Sequence, residues 1–109
     1  MTESIKNELE SMAIILHSGN AKTLICEALK DVKAGKVTEF DQKAEEAKKE
    51  IKLAHKAHAE LLRKLSSEDN LDQVDLLLVH AEGHLSSTDV AVLVIEELGE
   101  IYKKGYENG

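Results

Sequence analysis

The chain has 109 residues, of which 42% are hydrophobic and only 3% aromatic, and it contains no proline and no tryptophan. This composition excludes a disordered chain and argues against aromatic-rich sandwiches and barrels, so we expect one small helical domain. The 21 acidic residues outnumber the 14 basic residues, and the net charge of −7 counts against nucleic acid or an anionic membrane as the main partner.

The first predicted helix covers about residues 2–34. Its apolar residues keep a helical spacing up to Leu16 and resume one residue late after Gly19, which predicts a bend at that glycine. Gly35 is predicted to end the helix, because glycine tolerates the left-handed conformation that follows a last helical turn. The predicted apolar face consists of Ile5, Leu9, Met12, Leu16, Ala21, Leu24 or Ile25, Ala28 and Val32.

The second predicted helix covers about residues 37–66 and has the most regular pattern in the chain. Apolar positions alternate three and four residues apart, while the other faces carry interleaved lysine and glutamate, as expected of a half-buried helix. A polar loop follows. The predicted buried face consists of Val37, Phe40, Ala44, Ala47, Ile51, Ala54, His58, Leu61 and Leu65.

The third predicted helix covers about residues 72–106 and carries two apolar stripes on opposite sides. One stripe, which would face the other helices, contains Val74, Leu78, Ala81, Leu85, Thr88, Val92 and Ile95. The other, which we call the association stripe, contains Leu76, Val79, Gly83, Ser87, Val90, Val94 and Ile101. A helix that is apolar on both sides must be covered on both sides, so we predict an all-α, antiparallel three-helix bundle of residues 1–109 that self-associates through its last helix. The alternative is a bundle helix that simply carries extra leucine and valine.

Cys26 is the only cysteine, which excludes an internal disulfide and a cysteine-rich zinc site. The first twenty residues have no cationic segment ahead of a long apolar run, and no segment is apolar enough to span a membrane. We therefore expect a protein of the reducing cytoplasm without direct membrane insertion.

His80 and His84 lie one turn apart on the third predicted helix, where His80 borders the association stripe and would face a cleft between subunits. Three interpretations of this pair are open from the residues alone. The pair could bind a metal ion, although Ala81 stands where zinc proteases have glutamate. It could be a packing pair. One imidazole nitrogen could also act as the nucleophile that accepts a phosphoryl group.

Residues 77–85, Leu-Leu-Val-His-Ala-Glu-Gly-His-Leu, resemble the active-site segment of the lactose/cellobiose-type enzyme IIA components of the bacterial sugar phosphotransferase system. Those segments typically read His-(Ala/Gly)-Gln-Asp-His-Leu after an apolar run. Further landmarks in the same order are the Gly19-Asn20-Ala21 stretch, Ala54-His55 followed by Leu61, and an ending that contains Glu97, Ile101, Tyr102 and Lys103.

The resemblance implies a trimer with the C-terminal helices around a threefold axis. It also implies that the phosphocarrier HPr phosphorylates His80 on Nε2, and that His80 passes the phosphoryl group to a cysteine of a cognate enzyme IIB during uptake of a β-disaccharide such as lactose or cellobiose. His84 can hydrogen-bond the phosphoryl oxygens, and a solvated or packing His84 is the alternative. His58 stands where the family usually has glutamine, and we expect a buried hydrogen-bonding residue there.

Gly83 stands where the family has the aspartate that holds a shared divalent cation. Magnesium is usual in the family, but glycines on the axis provide no ligand, so we expect no metal ligands and no cofactor here. Glu82 or His84 would be the first ligands to consider if a metal were bound. Two alternatives to the phosphoryl carrier are a non-catalytic helical trimer with a regulatory or interaction role and a histidine-liganded metal protein.

Overall fold

A computed structural model describes residues 2–67 and 75–108 of the chain, and all three predicted helices are present. Helix α1 spans Thr2–Lys33, α2 spans Val37–Ser67 and α3 spans Leu76–Asn108. No strand occurs in the described ranges. The helices run up, down and up in a rod of 60 × 18 × 17 Å, which confirms the all-α, antiparallel three-helix fold.

The connection between α1 and α2 is short because Gly35 takes the left-handed conformation, with φ 83°. The Lys36 N–H donates to the Asp31 carbonyl at 2.8 Å, and the Gly35 N–H donates to the Val32 carbonyl at 3.1 Å. These two bonds form the Schellman arrangement that closes a helix at a glycine. The predicted helix end at Gly35 is therefore confirmed.

Helix α3 begins at Leu76, and Asp75 caps it by accepting a hydrogen bond from the Leu78 N–H on Oδ1 at 2.9 Å. An aspartate before the first helical residue satisfies an amide that has no partner within the helix. The predicted start at Asp72, and the predicted core position Val74, lie outside the described residues. At its other end α3 continues to Asn108, two residues beyond the predicted end.

The predicted apolar face of α1 is wrong in its first half. Ile5, Leu9, Met12 and Leu16 are all exposed. The face that packs against the other helices instead keeps an unbroken spacing of three and four, and helix α1 is continuous through Gly19. Its buried residues are Ser11, Ile14, Ser18, Ala21, Ile25, Ala28 and Val32. The spacing of apolar residues is irregular at Gly19 because two positions of the buried face, Ser11 and Ser18, are polar.

The predicted buried faces of α2 and α3 are largely confirmed. In α2, Val37 and His58 are only half-buried and the other predicted positions are buried. In α3, the core stripe is buried from Leu78 to Val92. The core forms two clusters along the rod, one around Ile14 and Leu61 and one around Ile25 and Phe40. Both clusters include residues of all three helices.

Among the described residues, helices α2 and α3 are also joined by two lysine–carboxylate ion pairs and two histidine–carboxylate contacts. From one end of the rod to the other these are Asp41–Lys103 at 2.6 Å, Lys48–Glu96 at 2.9 Å, His55–Asp89 at 2.8 Å and His58–Glu82 at 2.7 Å. Between α1 and α3 the polar contacts are hydroxyl hydrogen bonds: Thr88 donates to the Ser18 carbonyl and Tyr106 donates to the Val32 carbonyl. The register of the bundle is thus set by polar pairs as well as by apolar packing.

The association stripe of α3 is exposed along its whole length, as expected for a face left over after the bundle has formed. Leu76 is 84% exposed, and Val79, Val90, Val94 and Ile101 are between 49% and 66% exposed. The exposed apolar residues of α1 add a second such face, and Leu77 lies beside Met12 and Leu16 in a groove between the two helices. Within the described residues, no helix has an apolar stretch long enough to cross a membrane.

Candidate functional site

The imidazoles of His80 and His84 face each other on the outer surface of α3. Their Nε2 atoms are 3.1 Å apart, and the rings meet edge to face with centroids 4.6 Å apart and planes at 89°. In a neutral pair, one Nε2 carries the hydrogen and the other accepts it. The predicted pairing across one helical turn is therefore present, and His80 is exposed.

The surroundings of the pair are apolar and open. A shallow depression is lined by Val79, His80, Gly83, His84 and Ser87. A Cβ placed on Gly83 would meet nothing within 4 Å, so the surface beside the two rings is empty at this position. On its other side His80 borders the exposed Leu76 and the half-buried Leu77. A large group can therefore approach the His80 ring without displacing any side chain of this chain.

Two nearby hydroxyl groups on α3, those of Ser87 and Thr88, already have partners. Ser87 Oγ donates to the His84 carbonyl at 3.1 Å, and the buried Thr88 Oγ1 donates to the Ser18 carbonyl on α1 at 3.4 Å. A serine hydroxyl in a helix commonly donates to a carbonyl of the preceding turn, as Ser87 does. Among the described side chains, the imidazoles are therefore the groups best placed to contact a ligand at this surface.

The other three histidines lie elsewhere and each contacts a carboxylate on a neighbouring helix. His17 Nδ1 is 2.6 Å from Glu50 Oε2, His55 Nε2 is 2.8 Å from Asp89 Oδ1, and His58 Nε2 is 2.7 Å from Glu82 Oε2. His58 therefore makes a hydrogen bond, as expected, although its side chain remains 22% exposed. All three hold helices together and none faces the His80 and His84 rings.

The His58–Glu82 contact is the part of this region that sequence reasoning missed. The two residues are 24 positions apart on different helices, and helical spacing relates residues only within one helix. One clue in the sequence was that His58 and Glu82 both replace a glutamine that is usual in the family this chain resembles. The two replacements together exchange a pair of amide side chains for an ionisable histidine–glutamate pair.

The residues present do not fit a magnesium site. Magnesium takes oxygen ligands, but Gly83 has no side chain, and the Glu82 carboxylate is turned toward α2 and bonded to His58. In residues 2–67 and 75–108, no group of three or more histidine, cysteine, aspartate or glutamate side chains is arranged to hold a metal ion.

Comparison with known sequences gives a consistent result. A family model described as "PTS system, Lactose/Cellobiose specific IIA subunit" matches residues 9–103. The oligo-beta-mannoside-specific EIIA component of Bacillus subtilis (strain 168) is 34% identical over 100 residues, which covers 92% of this chain and 90% of that protein. The N,N'-diacetylchitobiose-specific EIIA component of Escherichia coli (strain K12) is 31% identical over 105 residues, covering 94% and 90% of the two chains.

Solved structures agree with the sequences. The cellobiose-specific enzyme IIA of Bacillus anthracis superposes with a TM-score of 0.86 at 32% identity, covering 94% of both chains. The IIA(chitobiose) of Escherichia coli, solved in complex with HPr, superposes with a TM-score of 0.80 at 31% identity, covering 90% of this chain and 94% of that one. Sequence and fold thus point to the same group of proteins over nearly the whole chain.

Proposed function

Because this chain belongs to the lactose/cellobiose-specific IIA family of the sugar phosphotransferase system, we propose that His80 is the residue that carries its phosphoryl group and that HPr is the donor. Members of this family are phosphocarrier components, so the chain is a phosphotransferase component. The observation that supports His80 is its exposed ring on a continuous helix, with Nε2 facing His84 Nε2 at 3.1 Å. The proposal of HPr as donor is supported by the relative that was solved in complex with HPr.

The transfer needs one bare nitrogen on His80. Nε2 attacks phosphorus as the bond between phosphorus and the donor breaks, and the hydrogen of the ring remains on Nδ1. Phosphoryl transfer asks the protein mainly for positioning and for stabilisation of charge on the phosphoryl oxygens. His84 supplies such a group: its Nε2–H, which can point at His80 Nε2 before transfer, donates to a phosphoryl oxygen afterwards.

The acceptor in the second step is a cysteine thiolate of a cognate enzyme IIB, for uptake of a β-disaccharide. His80 then acts as the leaving group, and the phosphorus–sulfur bond forms as the phosphorus–nitrogen bond breaks. Support for the substrate class comes from relatives named for cellobiose and for N,N'-diacetylchitobiose, which are β-linked disaccharides. The phosphoryl carrier itself has no need of a sugar-binding site.

We also propose that the protein is a homotrimer and that no magnesium ion lies on its axis. The trimer is supported by the exposed association stripe, which would otherwise leave five large apolar side chains of α3 in water. The metal-free axis is supported by the absence of a side chain at Gly83 and by the engagement of Glu82 with His58.

The test is phosphorylation with phosphoenolpyruvate, enzyme I and HPr. We expect an acid-labile, alkali-stable label on the wild-type protein and none on His80→Ala. His84→Ala should be labelled about tenfold more slowly or worse, since loss of a single donor to a developing oxyanion commonly has an effect of that size or larger. Label transfer from purified phospho-HPr should persist in EDTA.

His17→Ala and His55→Ala are the matched controls, because each removes a histidine that contacts a carboxylate on another helix. Both should be labelled like the wild type. A label that survives in His80→Ala would refute the assignment of the residue. A wild-type protein that takes no label while remaining folded would favour the non-catalytic helical trimer instead.

A further inference from the structure

We propose that His80 and His84 together form a chelating site for a divalent transition metal such as zinc, and that metal binding there competes with phosphorylation. The second half of this inference depends on the phosphoryl-carrier role of His80, and the first half does not. The site would be a regulatory feature of the phosphoryl-accepting surface, distinct in ligands and in metal from a magnesium site on the axis.

The distance between the two nitrogens fits a shared ion. Zinc binds imidazole nitrogen at about 2.0–2.1 Å, so two nitrogens on one tetrahedral ion lie about 3.3 Å apart. The Nε2 atoms of His80 and His84 are 3.1 Å apart. A change of a few tenths of an ångström, together with a rotation that turns both lone pairs to the same point, is therefore enough to place one ion between them.

The surface leaves room for that rotation beside His80, whereas the His84 side chain is half-buried. His80 is exposed, and the position beside the rings at Gly83 has no neighbour within 4 Å of an added Cβ. The remaining coordination positions of the ion face the depression beside Gly83, which borders the cleft between subunits in the proposed trimer, and water or phosphate can fill them there. His80 and His84 are also the only two histidines in the described ranges that contact each other, since His17, His55 and His58 each contact a carboxylate.

Donor type selects the metal. Imidazole suits zinc, copper and nickel, whereas magnesium takes oxygen ligands and gives up water reluctantly. Because the described part of the chain adds no third ligand of the histidine, cysteine or carboxylate type at this place, the site holds an ion by two protein bonds. We therefore expect zinc to bind and magnesium not to bind at the same concentration.

Competition with phosphorylation follows from the shared atom. In the bound form, both rings carry their hydrogen on Nδ1 and both Nε2 lone pairs point at the ion, so a neutral pair binds the metal by tautomer exchange without losing a proton. A phosphoryl group on His80 Nε2 uses the same lone pair. Each event therefore excludes the other, and by linkage each must weaken the other by the same factor.

The first experiment measures zinc binding to the unphosphorylated protein by calorimetry, with histidine ring NMR signals recorded in parallel. We expect one zinc ion per chain, shifts confined to the His80 and His84 signals, and affinity reduced at least tenfold in His84→Ala and in His80→Ala. The double variant His55→Ala/His58→Ala is the control and should bind like the wild type. Thermal unfolding of each variant checks that the fold is kept.

The second experiment measures single-step transfer from purified phospho-HPr with and without zinc. Zinc should slow labelling of the wild type, EDTA should reverse the effect, and the labelled protein should bind zinc at least tenfold more weakly. Equal zinc affinity in the wild type, His80→Ala and His84→Ala would overturn the site. Normal zinc binding with no labelling of the wild type would overturn the carrier role and leave the site intact.

Discussion

At the scale of single residues, Gly99 is the described glycine with the closest neighbour, the ring of Phe40. A Cβ at position 99 would lie only 2.6 Å from Cε1 and Cε2 of the Phe40 ring, which is itself 2% exposed. Gly99→Ala should therefore destabilise the fold by about 1–3 kcal/mol, the usual cost of overpacking, despite a gain of about 1 kcal/mol in helix propensity.

Urea unfolding at one fixed protein concentration measures this effect. Gly105→Ala is the control on the same helix, because nothing lies within 4 Å of a Cβ at that position. It should be neutral or stabilising by up to about 1 kcal/mol. Equal effects at the two glycines would mean that the Phe40 ring moves aside without loss of packing.

Residue-level reasoning from the sequence succeeded where a single helix contains all the information. Gly35 was identified from its place after the last helical turn, and the contact of His80 with His84 follows from a spacing of four. The sequence around Gly99 gives no such signal, because the residue that leaves no space for a side chain there, Phe40, lies on another helix. The His58–Glu82 contact was missed for the same reason.

At the scale of the helices, the lysine–carboxylate pairs between α2 and α3 make the free energy of unfolding change with pH in the alkaline range. The hydrogen bond to Glu96 raises the pKa of Lys48, and the hydrogen bond to Asp41 raises the pKa of Lys103. A raised folded-state pKa means that the stabilisation is complete below pH 10.5, the ordinary lysine value, and is lost as the pH rises through the folded-state value.

Lys48→Met and Lys103→Met test this dependence. Each should lower the free energy of unfolding at neutral pH by no more than about 1 kcal/mol, since both pairs are partly exposed. For Lys48→Met the difference from the wild type should vanish above the lysine titration. The same is expected for Lys103→Met, because Lys103 Nζ lies 5.3 Å from the centroid of the Phe40 ring and this cation–π contact is also lost on deprotonation. Lys104→Met, at an exposed position, is the control, and a pH-independent difference for Lys48→Met would contradict the prediction.

The composition of the buried faces explains why the packed face was predicted wrongly for α1 and correctly for α2 and α3. In α2 and α3 the buried positions are mostly apolar, so hydrophobic spacing identifies the packed face. In α1 the buried face contains Ser11 and Ser18, whereas the exposed face contains Leu9 and Leu16. Small side chains allow helices to approach closely, and a pattern based on hydrophobicity alone assigns such a face to solvent.

At the scale of the whole molecule, the proposed trimer makes a direct prediction for the association stripe. Val94→Glu should dissociate the assembly, because it would bury three like charges near one another and remove apolar contacts of about 1.5–3 kcal/mol per fully buried side chain. Light scattering during gel filtration should give about three times the 12.0 kDa chain mass for the wild type and the chain mass for the variant.

Leu53→Glu is the matched control for this experiment. Leu53 lies on α2 and is 46% exposed, close to the 49% of Val94, but it lies outside the association stripe. The control variant should therefore remain trimeric. A wild-type protein that is monomeric at micromolar concentration would contradict the proposed assembly and would leave the exposed apolar residues of α3 to another partner.

The position of α1 between its two neighbours has a consequence for which substitutions the chain can tolerate. Its buried face contributes Ile14 and Ala21 to one core cluster and Ile25, Ala28 and Val32 to the other, and both clusters also contain residues of α2 and α3. A larger side chain at Ala21 or Ala28 would therefore have to be accommodated by both neighbouring helices. A larger side chain at an outward position on α2 would extend into solvent. We therefore expect larger side chains to be tolerated least along the seam of small residues on α1.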